Sequence, residues 1–192
     1  MFQTATQDEI VSQTNLGGRS TFQNAGATRR RGLEVAGSVQ LPGHWLMQLS
    51  GTALDAAYRD GFTSCNAAPC AVPNVRVPAG NRIPGIARVA LAAELGWRPA
   101  AGWRGGVELR YLSQVFADDS NTAAAAAFTV VGAHVGYVLD VGRWQVSTTA
   151  RIDNLAGKKY AGSVIVNEGN GRYFEPAAGR TGLLSVTGRY AF

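Results

Sequence analysis

Charged residues are scarce in this chain, and no apolar run is long enough for a membrane-spanning helix. Only 16% of the 192 residues are charged, and 18 Lys and Arg against 13 Asp and Glu give a net charge of 18 − 13 = +5. With 46% hydrophobic residues, this composition argues against a disordered chain and against a coiled coil. Residues 1–20 hold no apolar core of a secretory signal. The apolar stretch at 123–139 is shorter than the ~20 residues of a membrane helix and contains His134, so a strand is expected there.

Signatures of catalysis and metal binding are also missing. The two histidines, His44 and His134, fall in different predicted elements, and the sequence has no phosphate-binding glycine loop or GxSxG motif. We therefore expect no enzyme activity, no metal site and no cofactor. Asp118, Asp119 and Asn121 lack the ligand spacing of an EF-hand calcium loop and predict a solvated loop.

Cys65 and Cys70 are the only cysteines. Their spacing is too wide for a redox CxxC motif, and two thiols cannot complete a structural zinc site. The surrounding Asn, Pro and Gly residues predict a long exposed loop. We expect a disulfide in an oxidising compartment, and the alternative is two free thiols in a cytosolic loop.

Apolar and polar residues alternate with a period of two over much of the chain. In residues 144–153, for example, Trp144, Val146 and Ile152 share one face, while the opposite face is polar. This alternation is typical of strands with one apolar and one polar face. About eight strands are predicted, at 1–12, 28–41, 44–58, 83–98, 102–116, 127–140, 143–154 and 181–192.

Short and long connections between these strands alternate strictly. Short turns near 42–44, 99–102 and 141–143 are separated by long polar links near 12–28, 59–82, 117–126 and 154–180. All four tryptophans lie beside a short turn. Long loops at one end and an aromatic girdle at the other predict an all-β, antiparallel transmembrane barrel. The alternatives are a soluble β-rich binding protein and a stand-alone eight-stranded adhesin or structural barrel.

Several segments resemble TonB-dependent outer-membrane receptors. Asn154–Tyr160 is similar to the "NLFDKxY" motif before their last external loop, although Ala156 and Gly157 replace the usual Phe and acidic residue. The segments 24–34 and 162–180 resemble the same family. The resemblance implies that residues 1–192 form one C-terminal segment of a barrel of about 22 strands, with the plug domain outside this segment. It also implies uptake of a scarce ligand, either a ferric siderophore or pyrroloquinoline quinone.

Within that family, the sequence resembles the subfamily that imports pyrroloquinoline quinone. That likeness lies in the segments 81–88 and 117–122 and in the cysteine pair. A strand ending in Tyr190 and Phe192 resembles the C-terminal assembly signal of bacterial outer-membrane proteins.

Charges on the polar face of the predicted barrel suggest an electropositive lumen for an anionic ligand. The lumen-facing candidates are Arg30, Glu34, Arg88, Glu94, Glu108, Arg110 and Arg151. The candidates for ligand contacts lie in or beside the external loops: Tyr58, Arg59, Arg82, Asn170, Arg172, Tyr173 and Arg180.

The expected location is the bacterial outer membrane. The resemblance implies as partners the TonB complex, through the part outside this segment, and the barrel assembly machinery. Arg29–Arg31 lies at the start of an amphipathic strand. This position indicates a barrel rim that faces lipopolysaccharide phosphate, and it argues against a nucleic-acid site.

Overall fold

The computed structural model describes residues 1–65, 69–70 and 72–192. Within this part the chain is all-β, and no helix has the length and apolarity to cross a membrane. The strands are β1 (Phe2–Thr6), β2 (Ile10–Leu16), β3 (Arg19–Asn24), β4 (Thr28–Leu41), β5 (Trp45–Tyr58), β6 (Phe62–Ser64), β7 (Val75–Val77), β8 (Val89–Trp97), β9 (Gly102–Leu112), β10 (Val115–Phe116), β11 (Ala124–Ala125), β12 (Phe128–Val141), β13 (Trp144–Asp153), β14 (Ala161–Val164), β15 (Phe174–Pro176) and β16 (Thr181–Tyr190).

Eight of these strands form one antiparallel sheet in the order β1-β4-β5-β8-β9-β12-β13-β16. This confirms the predicted eight-stranded antiparallel architecture. The β4–β5 ladder is continuous from Thr28 opposite Tyr58 to Leu41 opposite Trp45. Strands that follow one another in this sheet are joined alternately by short turns and long loops, so all the long loops emerge at one end.

Three predicted strands are shorter than the alternation suggested. β1 ends at Thr6 rather than at residue 12, because Ile10–Leu16 pairs with Arg19–Asn24 through a turn at Gly17 and Gly18. Both glycines have positive φ (56° and 78°), which suits glycine in such a tight reversal. β8 starts at Val89 and β9 ends at Leu112, so the flanking residues belong to the loops.

One face of the sheet is apolar and exposed. Val107, in the middle of β9, keeps 53% of its surface exposed. Other members of this face are Leu33, Val35, Met47, Leu49, Leu91, Leu95, Leu109, Val135, Leu139, Ile152, Leu184 and Val186. A β-sandwich would cover such a face with a second sheet. In the described part of the chain the other sheets are two-stranded hairpins, so the soluble alternative lacks a covering layer.

Both edges of the eight-stranded sheet are free in the described residues. β1 pairs with β4 and β16 pairs with β13, but no ladder joins β1 to β16. A closed barrel of eight strands requires that ladder. The stand-alone eight-stranded barrel is therefore not the architecture observed, and the sheet is an open arc with two edges available for pairing.

The tryptophans lie at the short-turn end of the sheet. Trp45 stands directly opposite Trp97, whose indole Nε1 donates to the Gly43 carbonyl at 2.9 Å. Trp103 packs on Tyr137 with ring centroids 5.2 Å apart, and Trp144 packs on Tyr190 at 5.0 Å. Aromatic rings at one level suit the boundary between hydrocarbon and headgroups.

A charge on the apolar face is expected to disturb the fold much more than a charge on the polar face. Leu109→Arg introduces a guanidinium near the centre of the apolar band and should cost about 2–4 kcal/mol of unfolding free energy in a bilayer. Gln48→Arg is the matched control, because position 48 lies on the polar face opposite Glu94. The unfolding free energy of each variant is measured in lipid vesicles, with heat-modifiable migration reporting the folded fraction. Equal costs at the two positions would contradict this assignment of the faces.

Candidate functional site

Each long loop carries its own two-stranded hairpin. The hairpins are β2–β3, β6–β7, β10–β11 and β14–β15, and none belongs to the main sheet. Sequence alternation did not predict them, since their strands are short and interrupted by polar residues and bulges. Together they build a compact layer over the loop end of the sheet.

The Asp119 side chain joins three of these loop segments. Its Oδ1 accepts a hydrogen bond from the Tyr58 hydroxyl at 2.6 Å, and its Oδ2 accepts one from Asn167 Nδ2 at 2.9 Å. The Ser64 hydroxyl lies 3.4 Å from the same Oδ2. Asp119 is only 3% exposed, and these partners are 48 to 61 residues away in the sequence.

The Asp119 main chain makes further links. Its carbonyl accepts a bond from Asn81 Nδ2 at 2.8 Å, and its amide donates to Asn167 Oδ1 at 3.1 Å. Burial raises the pKa of the Asp119 carboxyl, while the bonds from Tyr58 and Asn167 act in the opposite direction. Asp119 is therefore held by contacts from both its side chain and its backbone.

Asn167 extends the cluster to the remaining loop. Its Nδ2 donates to the Ser12 carbonyl at 2.7 Å, and its own carbonyl accepts from the Asn15 amide at 2.9 Å. Asn167 has a φ of 53°, a conformation that asparagine tolerates better than most residues. All four long loops thus meet at Asp119 and Asn167.

Asp118 organises its own turn instead of facing solvent. Its carboxylate accepts bonds from the Thr122 amide at 2.8 Å, the Thr122 hydroxyl at 2.7 Å and the Ala123 amide at 2.7 Å. Asn121 in the same turn binds both the amide and the carbonyl of Arg82, at 2.7 and 2.9 Å. The prediction of a solvated loop here was wrong, because these polar groups find partners within the loop layer.

The proposed ligand contacts occupy three different environments. Tyr58 is 1% exposed, and its hydroxyl donates to Asp119 inside the loop layer. Arg82 pairs with Ala57 in a β-bridge, which places it on the opposite side of the wall from Tyr58, and burial lowers its pKa. Tyr173 is half-buried. The remaining candidates are exposed on the loops: Arg59, Asn170, Arg172 and Arg180.

Cys65 and Cys70 form a disulfide in the loop that follows β6. Their Cα atoms are 6.0 Å apart, within the normal range for such a bond. Cys65 is 8% exposed and lies next to Ser64 of the loop cluster. The disulfide therefore closes the segment beside the Asp119 contacts.

Arg151 is the centre of an ion-pair network on the polar face. Its guanidinium binds Glu108 through two bonds of 2.5 and 2.6 Å, and its Nε donates to Asp153 at 2.9 Å. His134 Nδ1 lies 3.6 Å from the same Glu108 carboxylate. Arg98 pairs with Glu94, which stands opposite Glu108 in the ladder, so each of these facing acids has its own arginine.

The other predicted lumen residues differ in their pairing. Arg30 binds Glu9 at 2.8 Å in the first loop, and this hydrogen bond lowers the pKa of Glu9. Arg30 and Glu34, four residues apart on β4, form no ion pair with each other. Within the described residues, Glu34, Arg88 and Arg110 form no ion pair either.

Arg110 and Glu34 line a cavity of about 750 Å³ against the sheet. Phe128 and Tyr160 close its loop end, with ring centroids 4.1 Å apart. Small side chains from β5 and β8, such as Ser50 and Ala92, leave the space open. The arrangement combines an arginine that forms no ion pair with the described residues, an aromatic wall and room for a small molecule.

The family follows from comparison with known proteins. The model described as "TonB dependent receptor-like, beta-barrel" matches residues 1–155. This chain belongs to that family. Members of the family are outer-membrane β-barrel proteins, so the apolar face is the one that contacts lipid.

Solved structures show the same fold at low sequence identity. The siderophore receptor PiuA from Acinetobacter baumannii is 20% identical, with a TM-score of 0.76 over 97% of this chain and 24% of PiuA. The ferric yersiniabactin receptor FyuA from Yersinia pestis is 17% identical, with a TM-score of 0.66 over 99% of this chain and 26% of FyuA. The copper transporter OprC is 18% identical, with a TM-score of 0.65 over 99% of this chain and 28% of OprC. The chain thus spans about a quarter of the length of these proteins.

Removing the Asp119 charge should loosen the external loops and leave the sheet intact. In Asp119→Asn an amide donor faces the donor groups of Asn167 and Ser64, which should cost about 1–3 kcal/mol of local stability. Limited proteolysis of the loops should become roughly tenfold faster or more, while heat-modifiable migration is retained. Asp140→Asn is the control, since Asp140 accepts its bond from Gln145 at the other end of the sheet. Unchanged loop cleavage in Asp119→Asn would refute this role.

Proposed function

We propose that residues 1–192 form the C-terminal arc of an outer-membrane receptor that takes up a scarce anionic ligand. In this proposal the arc supplies part of the barrel wall, part of the arginine-bearing lumen and several external loops. The remaining strands pair with the free edges of β1 and β16. Such pairing would satisfy the backbone groups that an open sheet leaves exposed in lipid.

The guanidinium of Arg110 lies beside an open cavity and forms no ion pair with any residue that the structure describes, and this observation supports an anionic ligand. Arginine binds carboxylates and similar anions through two parallel hydrogen bonds. The cavity of about 750 Å³ lies within the size range of small-molecule sites. Arg88 precedes β8 and is also without an ion-pair partner in the described residues, so positive charge continues toward the loop end.

Two ligand classes fit this chemistry: a ferric siderophore and the carboxylated cofactor pyrroloquinoline quinone. Both present anionic oxygens to an arginine, and the planar quinone also suits the Phe128–Tyr160 wall. The names of PiuA and FyuA support a siderophore, whereas the name of OprC shows that the same fold serves a different cargo. The exposed loop residues Arg59, Asn170, Arg172 and Arg180 are proposed to make the first contacts with the ligand.

Further partners follow from the same proposal. The TonB complex would act through parts of the receptor outside this arc, and Tyr190 with Phe192 would be recognised by the barrel assembly machinery. Arg29 and Arg31 share Asp55 on the outward side of the sheet, at 3.7 and 3.0 Å. Their remaining positive charge would face lipopolysaccharide phosphate.

Arg110→Gln tests the anionic ligand. The variant keeps a similar length and removes the charge, so affinity should fall roughly tenfold or more, as expected for a lost charged hydrogen bond. Binding to the outer-membrane protein that carries residues 1–192 is measured in parallel with ferric siderophores and with pyrroloquinoline quinone. Arg143→Gln, at the short-turn end, is the matched control and should bind like the parent.

The binding measurements with the two ligand classes distinguish a quinone receptor from a siderophore receptor. A loss confined to pyrroloquinoline quinone supports the quinone receptor, and a loss confined to ferric siderophores supports the siderophore receptor. Binding that is equal in the parent, Arg110→Gln and Arg143→Gln for every anionic ligand would overturn the proposed role of the lumen arginine.

A further inference from the structure

Three carboxylates are buried close together in the loop layer. Asp118 is 9% exposed, Asp119 is 3% exposed and Glu168 is 7% exposed. All three line one small cavity. No Lys, Arg or His in the described part of the chain forms an ion pair with any of them. Burial of several acids without a positive partner is unfavourable unless something compensates the charge.

Hydrogen bonds compensate two of these acids but not the third. Asp118 is bound by Thr122 and Ala123, and Asp119 is bound by Tyr58 and Asn167. Glu168, by contrast, has a buried Oε1 that finds no hydrogen-bond partner among the residues that the structure describes. Its backbone is fixed by a β-bridge to Asn15, so the loop fold itself keeps this carboxylate in the cavity wall.

The cavity around Glu168 is small and rich in oxygen. Its volume is about 60 Å³, enough for one ion with a water molecule, since a water in the liquid takes about 30 Å³. Besides the acids it is lined by Ser64, Ser120, Thr122 and Tyr173, which come from three different loops. Hard cations such as Ca²⁺ prefer oxygen ligands of this kind.

We propose that this cavity binds Ca²⁺, with Glu168 as its charged ligand, and that the ion ties the external loops together. Among the described residues no three Asp, Glu, His or Cys side chains already converge as a metal cage. Hydroxyls, carbonyls and water must therefore complete the coordination, which implies a modest affinity, with a Kd of about 10⁻⁴–10⁻³ M as in extracellular calcium modules. The site is separate from Arg110 and does not depend on the identity of the transported ligand.

Terbium luminescence tests the site directly. Tb³⁺ replaces Ca²⁺ on oxygen ligands, and Tyr173 in the cavity wall is placed to sensitise its emission. The outer-membrane protein that carries residues 1–192, extracted in detergent, should show tyrosine-sensitised Tb³⁺ emission that Ca²⁺ displaces. Glu168→Gln should lower the affinity for both Tb³⁺ and Ca²⁺ at least tenfold. Glu175→Gln is the control, because Glu175 is exposed and accepts a hydrogen bond from Ser163, its partner across the β14–β15 ladder.

Loop proteolysis gives a second readout that does not rely on luminescence. Ca²⁺ should slow cleavage of the parent loops severalfold relative to EGTA. Glu168→Gln should not respond to Ca²⁺, and in EGTA it should resist cleavage at least as well as the parent, because the amide removes the uncompensated charge. Heat-modifiable migration verifies that each variant is folded. Tb³⁺ emission that is equal in Glu168→Gln and the parent, or cleavage that ignores Ca²⁺ in the parent, would overturn the proposal.

Discussion

Hydrogen bonding between neighbouring strands is the constraint on which the rest of this structure depends. The hydrocarbon of a bilayer offers no water to backbone amides and carbonyls, so each strand must find its partners in the next strand. The resulting ladders fix the register of all eight strands. Because side chains alternate with a period of two, a slip by one residue would turn Arg110 and Arg151 into the lipid. The electrostatics of the lumen are therefore a consequence of backbone pairing.

In the loop layer, side chains provide many of the hydrogen-bond partners that neighbouring strands provide in the main sheet. Outside the main sheet the long loops have only short hairpins, and their remaining polar groups need other partners. Asp119 and Asn167 supply many of them and connect all four loops. This arrangement buries several acids, and the Oε1 of Glu168 has no hydrogen-bond partner in the described part of the chain. A rigid outer layer and a local excess of negative charge thus arise from one arrangement.

The sequence predicted the sheet far better than the loop layer. Alternation over ten or more residues identified strands such as β4, β5 and β12 almost to the residue, because one lipid-facing and one water-facing side impose it. The contact between Tyr58 and Asp119 has no such local pattern, since 61 residues separate the two. The sequence therefore predicts Tyr58 as a ligand contact and gives no sign of its bond to Asp119. Asn121 and Asn167 adopt positive φ in the structure, and asparagine, which favours turns, is the only sign of these turns that the sequence offers.

If one face of each strand contacts lipid while the other faces a water-filled lumen, accessibility along a strand must alternate. Cys65 and Cys70 are paired with each other, so single thiols introduced at positions 107–111 of β9 can carry spin labels selectively. Labels at 107, 109 and 111 should collide mainly with oxygen dissolved in the lipid. Labels at 108 and 110 should collide mainly with a water-soluble nickel reagent. Accessibility without this period of two, or equal access of the nickel reagent to all five positions, would contradict this assignment of the two faces.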